Sequence, residues 1–167
     1  SSDLSTLATL PAYAEVVTGS QTDMNMDLKY PLVYTKNAVA QTAINTDISA
    51  YVGEAKNAYY RDHVYQVSQS YKVTYEDKNV VSLLLTTYYY RDGAAHGSYR
   101  TQGMVYDKRT GQRIPLYNYV KIASAKQLDT AVRDGVLSFY TSTRKKTYLP
   151  RGWHVNYASD NYFLIGR

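Results

Sequence analysis

Apolar and polar positions change their period several times along the chain, and each change marks an element. Met24, Met26, Leu28 and Tyr30 alternate with Asn25, Asp27 and Lys29, the period-2 signature of a strand with one buried face. Tyr13–Val17 reads as a shorter extended segment before it, after an irregular Ser/Thr/Leu/Ala-rich leader that ends at Pro11. Pro31, which cannot donate to a ladder, predicts an edge or a bulge near the strand's end. From Lys36 the spacing becomes three and four. Ala40, Ala43, Ile44, Asp47, Ile48, Tyr51 and Val52 fall on one helical face, with Thr35 or Asn37 available as cap and Gly53 as terminator.

Period 2 then returns. Tyr65, Val67, Tyr71, Val73 and Tyr75 share one face, and Gln66, Ser68, Ser70, Lys72 and Glu76 the other. A turn at Glu76–Asn79 leads into Val80–Tyr90, which is apolar or aromatic on both faces and so predicts an interior strand. Gly93 and Gly97 reverse the chain, Tyr99–Tyr106 returns, and the polar stretch Asp107–Arg113 turns again around Gly111. Ser124 and Gln127 form a capping-box pattern. Leu128, Val132, Val136 and Phe139 repeat beyond it, predicting a helix whose C-terminal end carries Arg144, Lys145 and Lys146 before Pro150. Residues 151–160 read as loop and Tyr162–Ile165 as a last strand. The order predicts an α+β fold, an antiparallel sheet with two helices packed on one side.

Composition narrows the function classes. A chain of 167 residues can build one good core or two small packed parts. With no cysteine, thiolate catalysis, disulfides and cysteine metal sites are excluded. No apolar run approaches the roughly 18 residues of a membrane span. The opening SSDLSTLATLP has no basic region followed by an apolar segment, so it does not read as a signal peptide. Twenty tyrosines against two phenylalanines suit strands with one wet face, a few of them at a binding surface. The net charge of +5 is uneven: residues 1–60 hold six acids and three bases, residues 61–167 eight acids and sixteen bases. The second part is therefore the expected face for an anionic partner. The bases are scattered and match no nucleic-acid motif, so nucleic acid is not the expected one.

Residues Tyr88–Gly97, YYYRDGAAHG, and Tyr106–Leu116, YDKRTGQRIPL, are the most distinctive in the chain. They resemble the GGAHG element and the following turn of an extracytoplasmic domain family of unknown function. That family occurs ahead of the catalytic domain of the PdaC peptidoglycan deacetylase and in the ectodomain of the RsiV anti-sigma factor. The resemblance implies an extracytoplasmic, cell-wall-facing module in two parts, residues 13–113 with the GAAHG turn and residues 114–167 packed on it. Two departures stand out: Ala94 replaces the family's usual second glycine, and Arg167 falls where family members continue into another strand. Deacetylation belongs to PdaC's separate catalytic domain, whose motifs do not occur here.

The candidate ligand-binding residues gather around that turn: Tyr89, Arg91, Gly93, His96, Gly97, Tyr99 and Arg100. His96, between glycines, either meets a ligand or locks the turn by bonding neighbouring carbonyls. Ser98 nearby raises a hydrolase, but no GxSxG elbow and no orienting acid accompany it, and no catalytic residue is assigned. His63, His96 and His154 are too far apart in sequence to suggest a metal, and no cofactor is expected. A second candidate set, Arg144, Lys145, Lys146, Arg151 and Trp153, combines cations with an aromatic ring suited to an anionic surface. The expected partner is cell-wall glycan or an anionic envelope polymer. A protein-binding sensor like RsiV and a wall hydrolase are the alternatives; a basic module lacks the acidic surface that would steer in a basic protein such as lysozyme.

Overall fold

The computed structural model describes residues 15–156 and 159–166. Among these residues the architecture is α+β, with a mainly antiparallel five-stranded sheet and two helices, as the hydrophobic pattern predicts. The sheet order follows the chain: β1 (Glu15–Asp23), β2 (Met26–Tyr34), β3 (Gln66–Glu76), β4 (Val80–Tyr90) and β5 (Ser98–Asp107). All pairings are antiparallel except β2 with β3, where Met26–Leu28 run parallel to Val67–Gln69. Helix α1 (Ala38–Tyr60) makes that crossover.

The first two strands form one hairpin, closed by Met24 and Asn25 between paired Asp23 and Met26. Met24, expected on the buried face, takes φ 51 in the turn and is 92% exposed. Pro31 is opposite Thr18 of β1, and β3 has already diverged there, so its missing N–H breaks no ladder. On that open side Asn45 of α1 takes over, accepting from Val33 N–H and donating to Val33 C=O, each at 2.9 Å. The expected segment Tyr13–Val17 and the leader before Pro11 lie outside the described residues in part or whole.

Asn37 caps α1 by accepting from the Val39 and Ala40 N–H groups, worth about 1 kcal/mol. Gly53 does not end the helix. Ala40, Ile44, Ile48, Val52 and Ala55 form one buried stripe across it, and the last two pack with Met26, Leu28, Val64 and Val67. Burial of those side chains outweighs the roughly 1 kcal/mol that an interior glycine costs. Ile44 and Ile48 pack with Val33, Val81, Leu83, Leu85, Met104 and Tyr106.

Pleat alternation sends Ser82, Leu84, Thr86, Thr101, Gly103 and Val105 to the sheet's other face. There the C-terminal segment lies across β4 and β5. Leu164 N–H donates to Ser82 Oγ at 2.9 Å, and Gly166 N–H to Thr74 C=O at 3.1 Å. Gly103 leaves room for the Tyr162 backbone, whose carbonyl oxygen would sit 2.1 Å from a Cβ. The segment makes no ladder, so the expected strand Tyr162–Ile165 is a covering loop.

The second helix, α2, is Ala125–Arg133, capped by Ser124 as the sequence suggests. It stops far short of Arg144 because Gly135, at φ 77, closes a left-handed C-cap. Val136 N–H bonds Ala131 C=O at 2.9 Å, and Gly135 N–H bonds Val132 C=O at 3.2 Å. Beyond it, β6 (Phe139–Tyr140) and β7 (Lys146–Thr147) form a small hairpin. Arg144, Lys145 and Lys146 therefore sit on a hairpin turn and its return strand, not at a helix terminus.

Candidate functional site

The reversal between β4 and β5 and the last turn of α1 enclose an open cleft of about 550 Å³. Register explains which side chains enter it. Tyr89 is opposite Ser98 and Thr87 opposite Arg100, so Tyr89, Ser98 and Arg100 share the face that α1 covers, and Arg91 follows in the same phase. Ala94 and His96 come from the turn, Gly93 supplying a backbone φ of 83 on the way. Opposite them, α1 and the segment that leaves it contribute Glu54, Asn57, Ala58, Asp62 and Val64.

Extension of the helix past Gly53 creates this second wall. Asp62 N–H and Arg61 N–H both return to Asn57 C=O, His63 adopts φ 57, and Val64 N–H bonds Ala58 C=O at 3.0 Å. The chain thus doubles back under the cleft before β3 begins. Arg91 reaches across, donating to Asp62 C=O at 3.5 Å.

The cleft is electrically divided. Arg91, Arg100 and His96 line the strand side, Glu54, Asn57 and Asp62 the helix side. Tyr89 is half-buried between them. Burial pushes its hydroxyl pKa up, Arg100 works against that rise, and Glu54 adds to it. His96 is exposed, with Nδ1 3.2 Å from its neighbour's Gly97 carbonyl, so a local contact helps to orient the ring. Donors and acceptors face one another across a gap with Ala58 and Val64 among its lining, an arrangement suited to a ligand rich in hydroxyl and amide groups.

Four of the seven candidates at the turn therefore meet in one cleft: Tyr89, Arg91, His96 and Arg100. Gly93 and Gly97 shape the turn. Tyr88 lies flat over Gly97, where a Cβ would fall 2.3 Å from its ring. Tyr99 is out of phase with its neighbours and meets Tyr88 on the opposite face, the rings tilted by 51° with centroids 4.8 Å apart. Glu54, Asn57, Ser98 and Asp62 were not among the candidates. Strand parity with Arg100 identifies Ser98, whereas the helix-side residues become visible only when α1 is carried through Gly53.

The second set lies elsewhere. Arg144, Lys145, Lys146 and Arg151 are exposed, and Trp153 is 48% exposed with its ring against Phe139, centroids 6.3 Å apart. Buried Asp129 of α2 clamps the segment that carries Trp153, accepting from Val155 N–H at 2.9 Å and contacting His154 Nδ1 at 3.1 Å. Arg133, paired with Asp129 at 2.9 Å, also donates to the Trp153 carbonyl.

Residues 18–99 match the family model described as Deacetylase PdaC, so the resemblance carried by the Tyr88–Gly97 turn is a family match over that part of the chain. Two solved structures are similar to parts of the chain. A DUF3298 family protein from Pseudomonas aeruginosa PAO1 has 15% identity and a TM-score of 0.38, with 65% of this chain and 57% of that one covered. A DUF3298 family member from Bacteroides fragilis has 11% identity and a TM-score of 0.40, with 63% and 59% covered. This chain thus spans less than two thirds of either protein's length. No curated protein matches the chain.

Proposed function

We propose that the chain is a non-catalytic, extracytoplasmic recognition module whose cleft between α1 and the β4–β5 turn binds cell-wall glycan. The match to a deacetylase-associated family over residues 18–99 supports the wall-facing setting. In this reading residues 13–113 form the recognition part and residues 114–167 a second part packed on it. The observation that carries the ligand class is the divided cleft. Arg91, Arg100 and His96 offer donors, Glu54, Asp62 and the Asn57 carboxamide offer acceptors, and the carboxylates disfavour a uniformly anionic occupant. A saccharide with hydroxyl and N-acetyl groups satisfies both walls.

The test is retention on purified peptidoglycan stripped of anionic polymers, at low and high salt. Retention should survive high salt, because neutral polar contacts are only weakly screened, and should fall at least tenfold in the Arg91→Gln/Arg100→Gln variant at unchanged stability. Equal retention by variant and parent, or none by the parent, overturns the reading.

A further inference from the structure

The longest stretch of the chain without an acidic residue lies outside the cleft. Residues 135–159 contain no aspartate or glutamate, four Lys or Arg residues, and the chain's single tryptophan. The fold gathers these on one structure. Hairpin β6–β7 carries Lys146 on its return strand and Arg144 and Lys145 in its turn, which Arg144 helps to close at φ 67. The chain then makes a second turn in which Trp153 N–H bonds Pro150 C=O at 3.1 Å and Gly152 takes φ 82, presenting Arg151. Contact between the Phe139 and Trp153 rings ties this turn to the hairpin. Among the described residues, Arg144, Lys145, Lys146 and Arg151 have no acidic group within 4.0 Å, whereas Arg109, Arg113 and Arg133 all do.

We propose that this hairpin and turn form a second binding surface, for a linear phosphodiester polymer of polyol units. Four exposed cations without internal partners supply the charge complement, and repeated phosphates along a flexible chain can meet several of them at once. Tyr148, 85% exposed, and half-exposed Trp153 offer ring faces to the units between phosphates. The same features fit a bilayer poorly. Leu149 and Val155, the aliphatic residues of the second turn, are half-buried, so this turn offers no aliphatic side chain to hydrocarbon. The Asp129 clamp gives the surface a fixed base, since Val155, His154 and, through Arg133, the Trp153 carbonyl are all held to α2.

Because the chain has one tryptophan, its emission reports this surface directly. Synthetic poly(glycerol phosphate) is titrated into the intact protein while Trp153 fluorescence is followed, across a series of salt concentrations. The expected result is a saturable change whose affinity falls with salt, with a log–log slope of about 0.7 per phosphate contacted. The Arg144→Gln/Lys145→Gln/Lys146→Gln variant should bind at least tenfold more weakly at low salt, with a shallower slope. If that variant does not fold, the parent's salt slope alone decides, a slope near zero overturning the proposal. Absence of any response, or equal affinity in a folded variant, also overturns it. So does response to vesicles of phosphatidylglycerol and phosphatidylcholine without response to the soluble polymer. Arg91→Gln/Arg100→Gln leaves this titration unchanged, so failure of the cleft reading and failure of this one are separately visible.

Discussion

The side chain of Asn45 hydrogen-bonds both backbone groups of Val33, so a single carboxamide stands where the next strand would be. β2 pairs with β3 only over Met26–Leu28, and past that point its N–H and C=O groups on that side need another partner. Asn45→Ala leaves both groups of fully buried Val33 unsatisfied. The expected loss is about 2–4 kcal/mol, at one to two desolvation penalties, read as a lower urea midpoint. Asn45→Asp retains the acceptor and loses the donor, and should fall between the two. A midpoint unchanged in Asn45→Ala would show that water replaces the amide.

Tyr106 is fully buried under α1, and its hydroxyl reaches Asp47 at 2.6 Å. Burial first, and then Asp47, hold that hydroxyl's pKa well above its ordinary value, so it is a donor at all physiological pH. Arg113 bonds the same carboxylate oxygen at 3.0 Å and the Tyr51 hydroxyl at 2.6 Å. Tyr106→Phe keeps the packing and removes one donor, with an expected cost of about 1–2 kcal/mol by chemical denaturation. Because Arg113 remains on Asp47, the cost should be smaller than that of Asp47→Ala, which takes the shared acceptor from both donors; the reverse order would contradict the network.

Gly103→Ala tests the cover over the sheet's second face. The new methyl would meet the Tyr162 backbone, which cannot rotate away as a side chain can. The covering segment must lift from β5, at about 1–3 kcal/mol. Hydrogen exchange should accelerate at Leu164 and Gly166, while amides of α1 keep their relative protection. Uniform acceleration throughout would mean that the segment and sheet are one cooperative unit.

Acid should loosen the Trp153 segment before the sheet. The Val155 N–H, then Arg133, then His154 hold the Asp129 carboxyl well below the usual carboxylate range. A depressed folded-state pKa means that this contribution is complete above the unfolded value of about 4 and is lost as pH falls through the lower folded value. Trp153 emission should therefore shift to the red in the most acidic part of a titration from pH 6 downward. Asp129→Asn should show the shifted spectrum already at pH 6, with a flatter acid limb. A parent spectrum constant down to the onset of global unfolding would rule out local release.

The meander was legible because its physics is local. In β3 the alternation is strong, β4 is a continuous apolar run, the turns carry their own Asp, Asn or Gly, and β3–β5 fall within a residue or two of expectation. Where the reading failed, a tertiary term overrode a local one, or a local stop was passed over. Gly53 looked like a terminator, yet burial of Val52 and Ala55 carries α1 through it. Val136 and Phe139 continued the helical spacing of α2, but the Asp134–Gly135 pair had already provided the stop. At the site, the turn residues were visible from their glycines and basic neighbours. Tyr99 was grouped with Arg100 by proximity in sequence, although a one-residue offset in a strand places it on the other face. The acidic wall of the cleft was invisible for the same reason that the end of α1 was missed.

Asn161 does for β5 what Asn45 does for β2: its carboxamide accepts from Gly103 N–H at 2.6 Å and donates to Thr101 C=O at 3.1 Å. Farther along, Ile114 N–H and the Gln112 carbonyl occupy the outward groups of Val105 and Asp107. An intermolecular strand arriving at that margin must displace partners already in place. Among the described residues, the outer side of Glu15–Asp23 has no such seal and no lysine or proline to repel a newcomer. Among the described residues that margin is therefore the one open to strand addition, and a single introduced charge such as Thr18→Lys there is the economical way to improve solubility without disturbing the cleft or the basic hairpin.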